Sequence, residues 1–128
     1  MKVLVVGEQA LTIEQVIAVA QNQCLVALPT SQQWQNLIQR GADFLDQLLE
    51  EEGVIYGVTT GYGDSCLVEI PSHQVHELPL HLSRFHGCGL GQNLDLVTAR
   101  AVVVTRLCSL ARGYSGVSLA LLERLVWM

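Results

Sequence analysis

Apolar residues recur at helical spacing over most of the chain, interrupted by two short strand-like runs, the first of them β-branched, and two glycine-rich turns. Lys2–Val6 is the β-branched run, ended by Gly7, and it predicts a strand. Thr12 then opens a helix over about 12–22, with Ile13, Val16, Ile17 and Ala20 on one face and Thr12-Ile13-Glu14-Gln15 in capping-box order. Cys24–Leu28, closed by Pro29, predicts a second strand able to pair with the first as a small ribbon. Ser31 has the chemistry of an N-cap for a long helix over about 32–52, whose stripe is Trp34, Leu37, Ile38, Phe44, Leu45, Leu48 and Leu49. Gly41 inside that stripe marks a kink or a close packing point. Glu50-Glu51-Glu52 reads as a solvated helix terminus, at the end the helix dipole disfavours for acids.

Beyond the first glycine-rich turn, Asp64–Pro71 carries no period and reads as irregular. Ser72 is placed to cap a helix over about 72–86, which Pro79 must bend or split. Asp95–Arg112 is helical and apolar nearly all round, the pattern of a helix buried in a bundle, with Gly113 to end it. Val117–Met128 begins another amphipathic helix that stops at Trp127-Met128 without a cap, as if the chain were cut there. The expected class is mainly α: an N-terminal helical domain with a small two-stranded β ribbon, leading into truncated bundle helices.

Composition narrows this picture. At 128 residues the chain makes one domain with room for a core. Hydrophobic residues reach 50% and charged ones only 15%, which predicts surface buried against another chain or another part of the same protein. A net charge of −5 argues against nucleic-acid partners, and Arg100, Arg106 and Arg112 interrupt any membrane-length apolar run. The first residues lack a secretory pattern, and Cys24, Cys66, Cys88 and Cys108 follow no disulfide framework, so the expectation is a cytoplasmic chain with reduced thiols.

The densest chemistry lies in Val54–Gly63, where two tyrosines and two threonines stand among Gly57, Gly61 and Gly63. Such a loop can pass close to a ligand while holding a phenol, and Tyr56 is its candidate reactive group. The histidines His73, His76, His81 and His86 lack zinc-site spacings, so no metal is expected. His86 stands before the second glycine turn, Gly87–Gly91, where a lone histidine is more often a capping or packing group. That turn has Gly-x-Gly with no strand before it, and Gly57–Gly63 lacks the Gly-Lys-Ser/Thr of a phosphate loop; nucleotide binding is weak for both.

The order of the motifs is what carries a resemblance. Tyr56-Gly57-Val58-Thr59-Thr60-Gly61-Tyr62-Gly63 resembles the Tyr-Gly-x-x-Thr-Gly-Phe-Gly signature of the aromatic amino acid ammonia-lyases and related aminomutases. Leu82–Gly91 is similar to the family's selectivity segment, and Leu110–Gly116 to its Leu-x-x-Gly-x-Ser-Gly helix end. The resemblance implies that Tyr56 is the base removing a β-proton, that Phe85, His86 and Gly63 contact substrate, and that Gly57, Gly61, Gly89 and Gly91 shape the loops. A free tyrosine is ionised in only about one molecule in a thousand at pH 7, so a base of this kind needs backbone donors or positive charge around it.

The same resemblance implies a methylidene-imidazolone group, formed in the family from an internal Ala-Ser-Gly, which activates the α-amino group as a leaving group. It also implies homotetramers whose sites draw on several subunits. Ala-Ser-Gly occurs nowhere in this chain, so the expectation is an N-terminal piece, inert alone, that depends on the rest of the enzyme and on other subunits. Exposed apolar patches are then expected along Asp95–Met128. Phe85-His86 mixes the Phe-Leu, His-Leu and Ser-His pairs of the phenylalanine, tyrosine and histidine enzymes, and favours a polar ring, tyrosine or histidine. Cys108 and Ser118 replace a common Asn and a frequent Arg and leave the subfamily open. Two alternatives stand beside the lyase: an aromatic 2,3-aminomutase, and a non-catalytic truncated paralogue acting as a binding or assembly module.

Overall fold

The computed structural model describes residues 1–51 and 53–128. These form two compact units, one of residues 1–44 with 93–128 and one of residues 45–92. Among the described residues the architecture is mainly helical with a two-stranded parallel sheet.

In the first unit, β1 (Lys2–Val5) pairs in parallel with β2 (Cys24–Ala27), in register Lys2 with Cys24 through Val5 with Ala27. Parallel strands need a crossover, and α1 (Ile13–Ala20) supplies it. Thr12 caps α1 in the full capping box: its hydroxyl accepts the Gln15 N–H while the Gln15 side chain accepts the Thr12 N–H. The helix α2 (Gln32–Glu50) starts at Ser31, whose Oγ accepts the Trp34 N–H at 3.3 Å. It was expected to reach Glu52, which lies outside the described residues; Glu51 is already in a turn.

The helices α4 (Leu96–Leu110) and α5 (Leu119–Trp127) are capped by Asp95 and Ser118, whose side chains accept the N–H of Thr98 and Leu121. Ser118 therefore has a local capping task. The core joins Val6, Trp34, Ile38, Leu107, Leu110, Ala111 and Leu122. Trp34 Nε1 donates to the Ala111 carbonyl at 2.9 Å, which satisfies the one polar atom of a large buried ring. Gly7, at φ +105°, lies so close that a Cβ there would stand 2.9 Å from that same carbonyl oxygen. Gly41 is a packing point: a Cβ would come within 3.3 Å of the Gly113 carbonyl oxygen. Cys108 is buried, its thiol directed at the Gln9 carbonyl at 3.8 Å.

The all-round apolar character of α4 does not give all-round burial. Val104, Leu107, Cys108 and Leu110 are covered, whereas Leu96 and Val102 are 71% and 56% exposed. One stripe of the helix faces this unit's core and the rest stays open.

The second unit departs from expectation in one place and takes one of the two expected alternatives in another. Residues 64–71 are not irregular throughout: the Gly61 N–H donates to the Val68 carbonyl and the Ile70 N–H to the Thr59 carbonyl, around an antiparallel bridge of Thr60 with Glu69. The segment 72–86 is not one helix. It splits into a short 3-10 turn, Ser72–Gln74, and α3 (Leu78–His86). Pro79 gives the reason, since its ring would clash with the carbonyl four residues back in a continuous helix, while the first turn of a new helix tolerates it. Ser72 accordingly makes no cap bond to α3, whose N-cap is Glu77.

Candidate functional site

Within the second unit, the chain from Gly53 to Gly63 is held by its own side chains. Thr59 Oγ1 accepts the Ile55 N–H at 2.8 Å and donates to the Gly53 carbonyl at 3.1 Å. Thr60 Oγ1 accepts the Gly57 N–H at 3.1 Å and donates to the Gly61 carbonyl at 3.0 Å. Thr60 is 3% exposed, the one buried polar residue among the described residues. These bonds are the short-range side-chain-to-backbone kind that hold turns, and the Thr-Thr pair between glycines was the signal for them. Sequence reasoning passed over it.

Three glycines of the loop are required for different reasons. Gly57 has φ +73° and leaves space for the Tyr62 ring, which a Cβ would meet at 3.0 Å. Gly61 lies so close to Ser65 that a Cβ would stand 2.7 Å from its carbonyl oxygen. Gly63 has open space around it, but its φ of +58° favours glycine. The turn then closes on the phenol: the Gly63 N–H donates to Tyr56 Oη at 2.9 Å. A donor aimed at a phenol oxygen interacts more strongly as negative charge collects there.

A cleft of about 980 Å³ runs from this turn to α3, lined by Gly61, Tyr62, Gly63, Leu82, Phe85 and His86 among others. His81, weighed in the sequence only as a metal ligand, and Arg84, not singled out there, also line it. Phe85 and His86 stack edge to face with ring centroids 5.4 Å apart. The His86 Nδ1 lies 3.1 Å from the Leu82 carbonyl oxygen. A carbonyl only accepts, so Nδ1 carries the proton in this contact and neutral His86 has Nε2 as a free acceptor. The capping role expected of a lone histidine and a role toward a ligand thus use different ring nitrogens.

Gly89 and Gly91 are not brought into this cleft. A Cβ at either would meet nothing within 4 Å; Gly91 has φ +112°, which favours glycine, whereas Gly89 has neither crowding nor positive φ. Tyr56 is not itself among the residues lining this cleft, which it reaches through its bond to Gly63; a second cleft in this unit, about 510 Å³ with Glu50, Glu69 and His76 on its wall, contains none of Tyr56, Phe85 or His86. Among the described residues, no group of three or more His, Cys, Asp or Glu converges as a metal site, and no helix is long and apolar enough to cross a membrane.

The family model for aromatic amino acid lyases matches residues 11–128. The chain belongs to the aromatic amino acid lyase family. Histidine ammonia-lyase from Clostridium tetani is 36% identical over 92% of the chain, and the enzyme from Bos taurus 31% identical over 98%. Among solved structures, tyrosine aminomutase from Streptomyces globisporus superposes with a TM-score of 0.88 at 34% identity over 99% of the chain. This lyase-family chain spans 23% of the length of the C. tetani enzyme and 24% of the aminomutase.

Proposed function

We propose that this chain supplies the catalytic base and the ring-recognition elements of an ammonia-lyase acting on an aromatic L-amino acid, tyrosine or histidine. The carrying observation is Tyr56 Oη fixed by the Gly63 N–H at 2.9 Å, with Gly63, Phe85 and His86 on one cleft. Tyr56 Oη takes the β-proton, the Cβ–H electron pair forms the Cα–Cβ double bond, and the amino group departs as ammonia with the electrons of its bond to Cα. The product is an α,β-unsaturated acid. The Gly63 N–H steadies the phenol oxygen before and after transfer. His86 Nε2 accepts from the phenol O–H or the imidazole N–H of the substrate ring, and Phe85 packs against that ring.

The methylidene-imidazolone group has no source in this chain. Its Ala-Ser-Gly precursor is absent from the 128 residues, so the chemistry assigned to the chain stops at base and ring recognition, and the isolated chain is inert. Exposed apolar residues on α4 and α5, such as Leu96 and Trp127 at 71% and 73%, support assembly with further chain and with other subunits.

The test is a graft of residues 1–128 in place of the matching segment of the C. tetani histidine ammonia-lyase. The graft releases ammonia, the 128-residue chain alone does not, and Tyr56→Phe in the graft lowers kcat by roughly 10²–10⁴-fold. A Tyr56→Phe graft as fast as its parent defeats the assignment. A second reading, an aminomutase that returns the ammonia to the β-carbon, is favoured by the likeness to tyrosine aminomutase at 34% identity. Formation of a β-amino acid in place of the unsaturated acid selects it.

A further inference from the structure

We propose that Thr60 is a positioning residue for the base: its hydroxyl clamps Gly57 to Gly61, and the Tyr56–Gly63 hydrogen bond forms only while that clamp is closed. The inference rests on Tyr56 acting as the base. Gly57 follows Tyr56 directly and Gly61 lies two residues before Gly63, so the Thr60 hydroxyl joins one backbone point on the phenol's side of the loop to one on its donor's side. It accepts from the Gly57 N–H at 3.1 Å and donates to the Gly61 carbonyl at 3.0 Å, which uses the hydroxyl in both senses.

The other threonine cannot substitute. Thr59 ties Ile55 and Gly53, both before Tyr56, and so anchors one side of the loop without reaching the side that carries Gly63. Burial favours the closed clamp: Thr60 is 3% exposed and its bond to the Gly57 N–H is part-buried, so water replaces that bond only in part when the hydroxyl leaves. Tyr56, 64% exposed, lacks packing that would hold its ring in place by itself. The orientation of the phenol therefore depends on the turn, and the turn on Thr60.

The experiment is amide hydrogen exchange by NMR on the 128-residue chain, with the Tyr56 ring Cζ resonance followed in parallel. In the wild type, the Gly57 and Gly63 amides exchange through one opening, with the same dependence on added denaturant. Thr60→Val, close in shape but without the hydroxyl, speeds both amides about tenfold or more and shifts the Tyr56 Cζ signal, whereas Thr60→Ser stays within about twofold of wild type. A Gly63 amide and a Tyr56 signal unmoved in Thr60→Val, with only Gly57 accelerated, overturn the proposal. Should Thr60→Val fail to fold, independent opening of Gly57 and Gly63 in the wild type overturns it equally. These readouts require no turnover. A failed clamp thus leaves the base assignment to be judged by the Tyr56→Phe graft, and an active Tyr56→Phe graft reduces an intact clamp to a loop staple.

Discussion

The backbone N–H of Gly63 donates to the phenol oxygen of Tyr56, seven positions earlier in the chain, at 2.9 Å. Gly63 has φ +58°, a left-handed conformation that favours glycine at the residue carrying this donor. A phenol held this way takes its electrostatic help from the main chain.

Removing the hydroxyl by Tyr56→Phe takes away a hydrogen bond at an exposed site. The Gly63 amide is expected to exchange several-fold faster, as for loss of about 1 kcal/mol, while the Gly57 amide, still held by Thr60 but in a less stable clamp, loses protection to a smaller extent. Exchange rates of the two amides in the 128-residue chain check this, and equal acceleration of both contradicts it.

His86 presents Nε2 as an acceptor because Nδ1 is engaged by the Leu82 carbonyl at 3.1 Å. In the grafted enzyme, His86→Leu should move the ratio of kcat/KM values from tyrosine or histidine toward phenylalanine by at least about tenfold, since a ring donor then meets no partner. An unchanged ratio rejects His86 as the ring-recognising group.

The Trp34 ring is 5% exposed and its Nε1 bonds the Ala111 carbonyl at 2.9 Å. Trp34→Phe leaves that carbonyl without its donor and removes ring volume, with an expected cost of about 2–4 kcal/mol to the first unit. Urea unfolding followed by circular dichroism measures it; a midpoint equal to wild type is the contrary result.

Asp95 caps α4, and its carboxyl is held below the usual carboxylate range, chiefly by the Thr98 N–H and then by the Thr98 hydroxyl. A lowered folded-state value means that the stabilisation is present in full above the ordinary carboxylate value near 3.9 and is lost as pH falls through the lowered one. Asp95→Asn caps without charge. The Tm advantage of wild type over Asp95→Asn should therefore hold at neutral pH and shrink below about pH 4. A gap that does not change with pH rules the charge out.

What the sequence determined by itself is whatever neighbouring residues settle among themselves. The Thr12 capping box, the Ser31 cap, the break that Pro79 forces and the glycine signature around Tyr56 are all written within a few residues, because caps, helical periods and φ preferences are local. Only the tertiary structure decided the parallel pairing of β1 with β2, the bond from Trp34 to a carbonyl 77 residues away, and the open side of α4. It also decided that Gly63 shares a cleft with Phe85 and His86 while Gly89 and Gly91 stand apart from it. Each of these depends on chain closure over long separations, where a local pattern gives a segment's type but not its partner. Thr60 lies between the two cases: its spacing to Gly57 was visible, but the burial that makes its hydroxyl matter arises only when the chain folds back through Val68 and Ile70.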